Sequence, residues 1–228
     1  MSKILDFSAA NAQHNLDTNG DNTITGTPGS DALVGGNGND ILFGGAGNDA
    51  LKGGNGNDVL HGGAGNDAMF GGNGDDLMTW DPGEGSDTLN GGNGFDTMLF
   101  NGSAGAENFV LSAKDGGGAL FTRDVGHITM DLTSVEKVTL NALGGPDNVH
   151  INNLSGSGIQ EFDVNLGVNG AGDGAADTVF IDGNGSVKVV DEGNGNIDIF
   201  GVSGATVHIT GFEAANDHLV INGDPFHF

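Results

Sequence analysis

The sequence predicts an all-β chain: a parallel β-roll that continues into a wider β-solenoid or β-helix. Three observations predict it. From Gly26 to Thr79 the chain is an unbroken run of nonapeptides, GTPGSDALV, GGNGNDILF, GGAGNDALK, GGNGNDVLH, GGAGNDAMF and GGNGDDLMT. A second period lies inside the first. The third position alternates Asn37, Ala46, Asn55, Ala64, Asn73, and the seventh alternates Ala32, Ile41, Ala50, Val59, Ala68, Leu77, so two nonapeptides make one structural unit. From about Phe100 the nonapeptide phase is lost, while period-two apolar pairs separated by Gly, Asn and Asp turns continue with no helical pattern.

The elements follow in chain order. Residues 1–25 form an N-terminal segment with one degenerate repeat, DTNGDNTIT (Asp17 to Thr25), which carries Asn22 at the acidic position. Asp17, Asn19 and Asp21 also imitate the start of an EF-hand loop. That loop needs a bidentate Glu at its twelfth position and Gly at its sixth, and Pro28 and Asn22 stand there, which favours the degenerate repeat. Residues 26–99 are the roll. After the sixth nonapeptide, Trp80 and Asp81 are inserted, and two further copies follow, PGEGSDTLN (Pro82 to Asn90) and GGNGFDTML (Gly91 to Leu99). Trp80 is expected to plug an irregular turn, with stacking on a sugar as the alternative. Met69, Met78 and Met98 occupy the Leu position and read as core.

Residues 100–228 form a C-terminal β-solenoid region, stacked on the roll as one all-β rod. Its strands are marked by Val138 and Leu140, Val149 and Ile151, Phe162 and Val164, Val179 and Ile181, Val187 and Val189, Ile197 and Ile199, Val207 and Ile209, and Leu219 and Ile221. Two of these strands follow an acidic turn, Pro146-Asp147-Asn148-Val149 and Ala176-Asp177-Thr178-Val179. Turn residues opening a strand are the favoured reading there, over extra cation sites.

In the roll, each eighteen-residue turn is expected to supply two short strands, giving two parallel sheets back to back with a loop at each edge. Glycine at the first, second and fourth positions allows the positive φ that a tight bend around an ion demands. The Asp at the sixth position adds a hard carboxylate oxygen to the loop carbonyls. An oxygen-only set without Cys or His in the motif suits Ca2+ rather than zinc or copper. Several such ions would each sit between loops one turn apart, pairing Asp31 with Asp49, Asp40 with Asp58, Asp49 with Asp67, and Asp58 with Asp76.

The nonapeptides resemble the RTX family, the calcium-binding repeats of bacterial secreted toxins, proteases, lipases and surface proteins. The stretch Gly102 to Asn153 is also similar, less specifically, to β-rich regions that flank such arrays. The resemblance implies a β-roll in which carbonyls at the first, third and fifth positions face one ion, while those at the second and fourth, with the Asp, face the other. Carried onto this sequence, the metal set is Asp31, Asp40, Asp49, Asp58, Asp67, Asp76, Asp87 and Asp96 with first-position Gly35, Gly44, Gly53, Gly62 and Gly71. The third position adds Asn37, Ala46, Asn55, Ala64 and Asn73, and the fifth adds Asn39, Asn48, Asn57, Asn66 and Asp75. It also implies export through a type I channel with an uncleaved C-terminal signal, which the tail Asp217 to Phe228 matches only loosely, since Pro225 and His227 interrupt it.

Composition bears on partners and place. Six Lys and Arg against thirty-one Asp and Glu give a formal charge of −25, which argues against nucleic acid or an anionic membrane as partner and should hold the metal-free chain open. With no Cys, disulfides are excluded and calcium is the staple. Each nonapeptide buries essentially one large side chain, so the repeat segment is expected to be unfolded without calcium and folded with it. Sites needing near-millimolar calcium fill outside the cell, so the protein is expected to be extracellular, secreted or held at the cell surface. The N-terminus lacks the apolar stretch of a Sec signal, and no segment is apolar enough to span a membrane.

No H-E-x-x-H, G-x-S-x-G or phosphate loop is present, and the seven His share no spacing, reading as solvated surface groups. The expected function is therefore non-catalytic: a secreted structural or matrix protein. The alternatives are a polysaccharide-binding adhesin acting through residues 100–228 and a non-catalytic module of an RTX exoenzyme. Two routes to self-association are expected. Ile41, Val59 and Leu77, with Phe43 and His61, form an exposed apolar face on one sheet, against Ala32, Ala50, Ala68 and Lys52 on the other. Open solenoid ends, with Ile4 to Phe7 as the N-terminal candidate cap, permit head-to-tail filaments, a capped monomer being the alternative.

Overall fold

Glycine-rich nonapeptides have no length for a helix and no side chains to pack one, but they alternate buried and exposed positions. The computed structural model, which describes residues 3–6, 13–168, 171–183 and 186–227, shows the short strands that this alternation demands. Among the described residues no helix is long and apolar enough to cross a membrane. The chain divides into two compact units, residues 1–99 with 130–135, and residues 100–129 with 136–228.

The first unit is built from β1 (Lys3–Asp6), β2 (Gln13–Asn19), β3 (Asn22–Thr25), β4 (Ala32–Asn37), β5 (Ile41–Ala46), β6 (Ala50–Asn55), β7 (Val59–Ala64), β8 (Ala68–Asn73), β9 (Leu77–Trp80) and β10 (Thr88–Asn93). Odd strands β1-β3-β5-β7-β9 run parallel in one sheet and even strands β2-β4-β6-β8-β10 in the other. The register is set by the double repeat: Ile41 lies opposite Val59 and Ala32 opposite Ala50. The inserted Trp80 ends β9 and the inserted Asp81 opens the turn before β10, in which Thr88 lies opposite Ala68. Trp80 is fully buried there, its Nε1 donating to the Gly85 carbonyl at 2.8 Å.

In the nonapeptides from Gly35 to Thr79 three positions face inward, the sixth, eighth and first, so that Asp, a large apolar residue and Gly alternate along one side of the strand. The apolar column Ile24, Leu33, Leu42, Leu51, Leu60, Met69, Met78, Leu89, Met98 is at most 1% exposed and forms the core. The outer faces differ less than the sequence pattern suggested. Ile41 and Phe43 are 38% and 39% exposed, but on the opposite sheet Phe70, in register with Lys52, is 43% exposed. Of the candidate N-terminal cap Ile4 to Phe7, Phe7 lies outside the described residues.

The second unit follows from β11 (Thr97–Asn101), which crosses the boundary, through β12 (Asn108–Ala113), β13 (Ala119–Arg123), β14 (Ile128–Thr133), β15 (Lys137–Asn141), β16 (Asn148–Ile151), β17 (Glu161–Asn165) and β18 (Thr178–Ile181) to β19 (Lys188–Gly193), β20 (Asn196–Val202), β21 (Ala205–Thr210), β22 (His218–Ile221) and β23 (Asp224–Pro225). Residues 130–133 of β14 belong to the first unit, where Leu132 lies opposite Leu89 of β10. The solenoid rungs are parallel: β12-β16-β18-β22 in one sheet and β15-β17-β21 in the other.

Antiparallel pairs are added to these rungs, β12 with β13, β19 with β20, β20 with β21, and β22 with β23. The sequence pattern did not announce them. They lengthen the turns, so that Asn108, Asn148, Thr178 and His218 stack at unequal intervals. The core here is aromatic, with Phe100, Phe109, Phe121 and Phe162 all fully buried and ring centroids from 4.8 Å to 6.3 Å apart.

Candidate metal centre

The sixth-position carboxylates face inward at the sheet edge, and each makes the same contact. Asp49 Oδ1 accepts the backbone N–H of Asp31 at 2.7 Å, Asp58 Oδ1 that of Asp40 at 2.7 Å, Asp67 Oδ1 that of Asp49 at 2.7 Å, and Asp76 Oδ1 that of Asp58 at 2.8 Å. Across the insertion Asp87 accepts from Asp67 and Asp96 from Asp76, both at 2.8 Å. Residues one turn apart are thus brought together, the pairs that the period predicts. These side chains are at most 5% exposed.

One oxygen of each carboxylate is used in this way. The second, Oδ2 of Asp40, Asp49, Asp58, Asp67, Asp76 and Asp87, is buried with no hydrogen-bond partner. A buried anionic oxygen left in that state is strongly unfavourable unless a cation faces it. The space beside it is oxygen-lined and kept open by the first-position glycine. A Cβ added at Gly35 would meet Asp40 Oδ2 at 2.5 Å and the Gly53 carbonyl at 2.7 Å, and one at Gly44 would meet Asp49 Oδ2 and the Gly62 carbonyl. Gly71 repeats the arrangement with Asp76 Oδ2 and the Gly91 carbonyl. Carboxylate and carbonyl oxygens that converge so closely on a glycine that a Cβ would collide with both make an oxygen-only donor set suited to calcium.

Electrostatics point the same way. Burial, opposed by the backbone hydrogen bond and reinforced by neighbouring carboxylates, pushes Asp58 and Asp87 up to about 7 and Asp67 and Asp76 up to about 6. Asp49 is raised for the same reasons. A divalent cation at Oδ2 reverses that effect.

The third- and fifth-position residues are committed to other contacts as well. Asn19, Asn37, Asn55, Asn73 and Asn93 form a side-chain ladder, in which the Nδ2 of Asn37, Asn55, Asn73 and Asn93 each donates to the preceding Oδ1 at 2.6–2.8 Å. Asn39, Asn48, Asn57, Asn66 and Asp75 each accept a backbone N–H from the next turn through Oδ1. The carbonyls of Asn37, Asn55, Ala64 and Asn73 each take one N–H, from Gly20, Gly38, Gly47 and Gly56, which leaves a second lone pair for an ion. Ala46 donates its own N–H to the Thr27 carbonyl at 3.4 Å.

Two features escaped the sequence pattern. His61 is half-buried rather than solvated: its Nε2 lies 3.1 Å from Glu84 and 3.7 Å from Asp81, and the Glu84 hydrogen bond raises its pKa. The insertion carries both acids to it, so spacing alone could not have found the cluster. Second, the sixth-position contact persists beyond the nonapeptides. Asp147 Oδ1 accepts the Glu107 N–H at 2.9 Å, Asp177 Oδ1 that of Asp147 at 2.8 Å, and Asp217 Oδ1 that of Asp177 at 3.0 Å. The signal was an acidic residue two places before a buried apolar one, Glu107 with Phe109, Asp147 with Val149, Asp177 with Val179 and Asp217 with Leu219.

Comparison with known proteins agrees with the site. The model of the RTX calcium-binding nonapeptide repeat (4 copies) matches residues 17–51, 44–78 and 82–98. No curated protein matches the chain. Among solved structures, the chain is similar to the solution structure of the AlgE6R3 subunit from the Azotobacter vinelandii mannuronan C5-epimerase, at 21% identity over 93% of this chain and 85% of that one. The TM-score of 0.17 means that this likeness adds no structural argument. RTX nonapeptide repeats bind calcium, and calcium is the ion expected between these turns. Residues 17–78 and 82–98 of this chain are therefore RTX-type nonapeptide repeats.

Proposed function

We propose that this is a non-catalytic, extracellular calcium-binding protein, a structural or matrix component at a bacterial cell surface whose repeat segment folds on meeting calcium outside the cell. The observation that carries the reading is the row of buried, unpartnered Oδ2 atoms at Asp40, Asp49, Asp58, Asp67, Asp76 and Asp87. Each ion would be held by a sixth-position Asp together with first-, third- and fifth-position carbonyls of adjoining turns. In this assignment residues 26–99 are the calcium-dependent roll and residues 100–228 a solenoid region with a core of its own.

The reading also accounts for export. A chain of charge −25 without its ions resists collapse and stays open in a calcium-poor compartment, which suits passage through a type I channel. Once folded, the strip containing Ile41 and Phe43 offers apolar surface to another copy.

Far-ultraviolet circular dichroism of the full chain, first in chelator and then through a calcium titration, tests the proposal. A cooperative gain of β signal with calcium is expected. A complete β signal in chelator that calcium leaves unchanged would overturn it.

A further inference from the structure

The second unit has an acidic column of its own, Glu107, Asp147, Asp177 and Asp217, which the nonapeptide motif does not cover, and the surroundings of its members differ in an informative way. At Glu107 the positive charge is built in. Arg123, 6% exposed, donates Nε to Glu107 Oε1 and forms an ion pair with it, while Ser103 N–H donates to Oε2 at 2.6 Å. At Asp217 both oxygens accept backbone N–H groups, Oδ1 from Asp177 at 3.0 Å and Oδ2 from Glu213 at 2.7 Å. Asp147 lies between them with neither solution: it is 1% exposed, and its Oδ2 is buried without a hydrogen-bond partner.

The loop that carries Asp147 offers it little help. The N–H groups of Ala142 and Gly144 go to the carbonyls of Asn165 and Ala142, and that of Gly145 goes to Asp173 Oδ2 at 2.8 Å. Asp147 N–H goes to Asp177, and Pro146 has no N–H to give. Burial pushes Asp147 up to about 8 against its backbone hydrogen bond from Glu107, and the neighbouring carboxylates of Asp177, Glu107 and Asp173 add to the rise. The loop also imitates a nonapeptide bend: Leu143 and Gly145, at the second and fourth places before Asp147, take positive φ of 75° and 99°, as Gly36 and Gly38 do before Asp40 at 110° and 120°.

We propose that the second unit holds a calcium site of its own, outside the nonapeptides, with Asp147 Oδ2 as the anchoring ligand and the Asp173 carboxylate, tied to the same loop through Gly145, as its partner. A carboxylate buried among carboxylates, in a loop whose identified donors are spent, recruits a hard divalent cation where Glu107 uses Arg123. Its residues lie outside the nonapeptides in the sequence.

Native mass spectrometry of the full chain at saturating calcium reads the bound ions directly. With circular dichroism showing that the fold is kept, Asp147→Asn should carry about one ion fewer than the unsubstituted chain, because the amide retains the Oδ1 contact to Glu107 and removes the anionic ligand. Asp173→Asn, a change at a half-buried loop residue outside any strand, should weaken the last ion by about ten- to a hundredfold. An Asp147→Asn chain that folds and binds as many ions as the parent overturns the proposal. If that variant does not fold, an unchanged count and affinity in Asp173→Asn overturns it instead. A parent chain that binds no calcium sinks the repeat reading as well, so the two failures are told apart.

Discussion

Asp and Gly act as one device in each repeat: the carboxylate turns inward because its Oδ1 closes the turn above, and the glycine leaves room for what its Oδ2 faces. At Gly62 the lack of a side chain matters more than backbone freedom, since no positive φ is required there, yet an added Cβ would collide with Asp67 Oδ2. Gly62→Ala is therefore expected to raise the calcium midpoint of folding by about tenfold without altering the fold at saturation. Gly105, where an added Cβ would meet nothing closer than Ser103 Oγ at 4.0 Å, is the control, and Gly105→Ala should leave the midpoint where it was. Equal midpoints for Gly62→Ala and the unsubstituted chain, measured by calcium titration, would show that the glycine does not guard the ion's space.

Each strand from β3 to β8 contributes one large buried side chain to the core, so the loss of one is not shared among neighbours. Leu60 is fully buried and sits in register between Leu42 and Met78. Leu60→Ala should cost about 2–5 kcal/mol in denaturant unfolding at saturating calcium, and Val59→Ala, one place along and half-exposed, clearly less. Similar costs at the two positions would contradict the inward assignment of the eighth position.

This alternation was legible because a fixed period writes register directly into sequence: the two sheets, the core column and the pairing of Asp31 with Asp49 all follow from counting. What the period could not show was side-chain partnership. Asn37, Asn55 and Asn73 were readable as carbonyl donors, but their side chains form a ladder, signalled by Asn recurring on one sheet where Ala46 and Ala64 recur on the other. In the second unit the acidic column of Glu107, Asp147, Asp177 and Asp217 was hidden because the β12–β13 hairpin and β19–β20–β21 break the interval between its members. Spacing loses its information once turns differ in length, while the local pattern of acid, one residue, then buried apolar residue survives.

For the whole chain the dominant quantity is the charge of −25, much of it held in carboxylates that are buried in the fold and hydrated when the chain is open. Without metal, folding must place such groups beside one another in poor solvent, which is why burial pushes Asp58 and Asp87 up to about 7 and Asp67 and Asp76 up to about 6. In the unfolded chain the same groups titrate near about 3.9. Between these values the folded form binds more protons than the unfolded one, so the stability of the metal-free fold rises as pH falls and is lost as pH rises through about 7. Calcium works in the opposite sense, since it needs ionised ligands and displaces their protons on binding. In chelator, acidification from about pH 7.5 to about pH 5 should therefore increase the β signal, while over the same range the calcium midpoint should move to higher concentration. Protons and calcium are then alternative ways of neutralising one column of charge. A chelated chain that loses structure on acidification, or a calcium midpoint that does not move with pH, would mean that these carboxylates do not control folding.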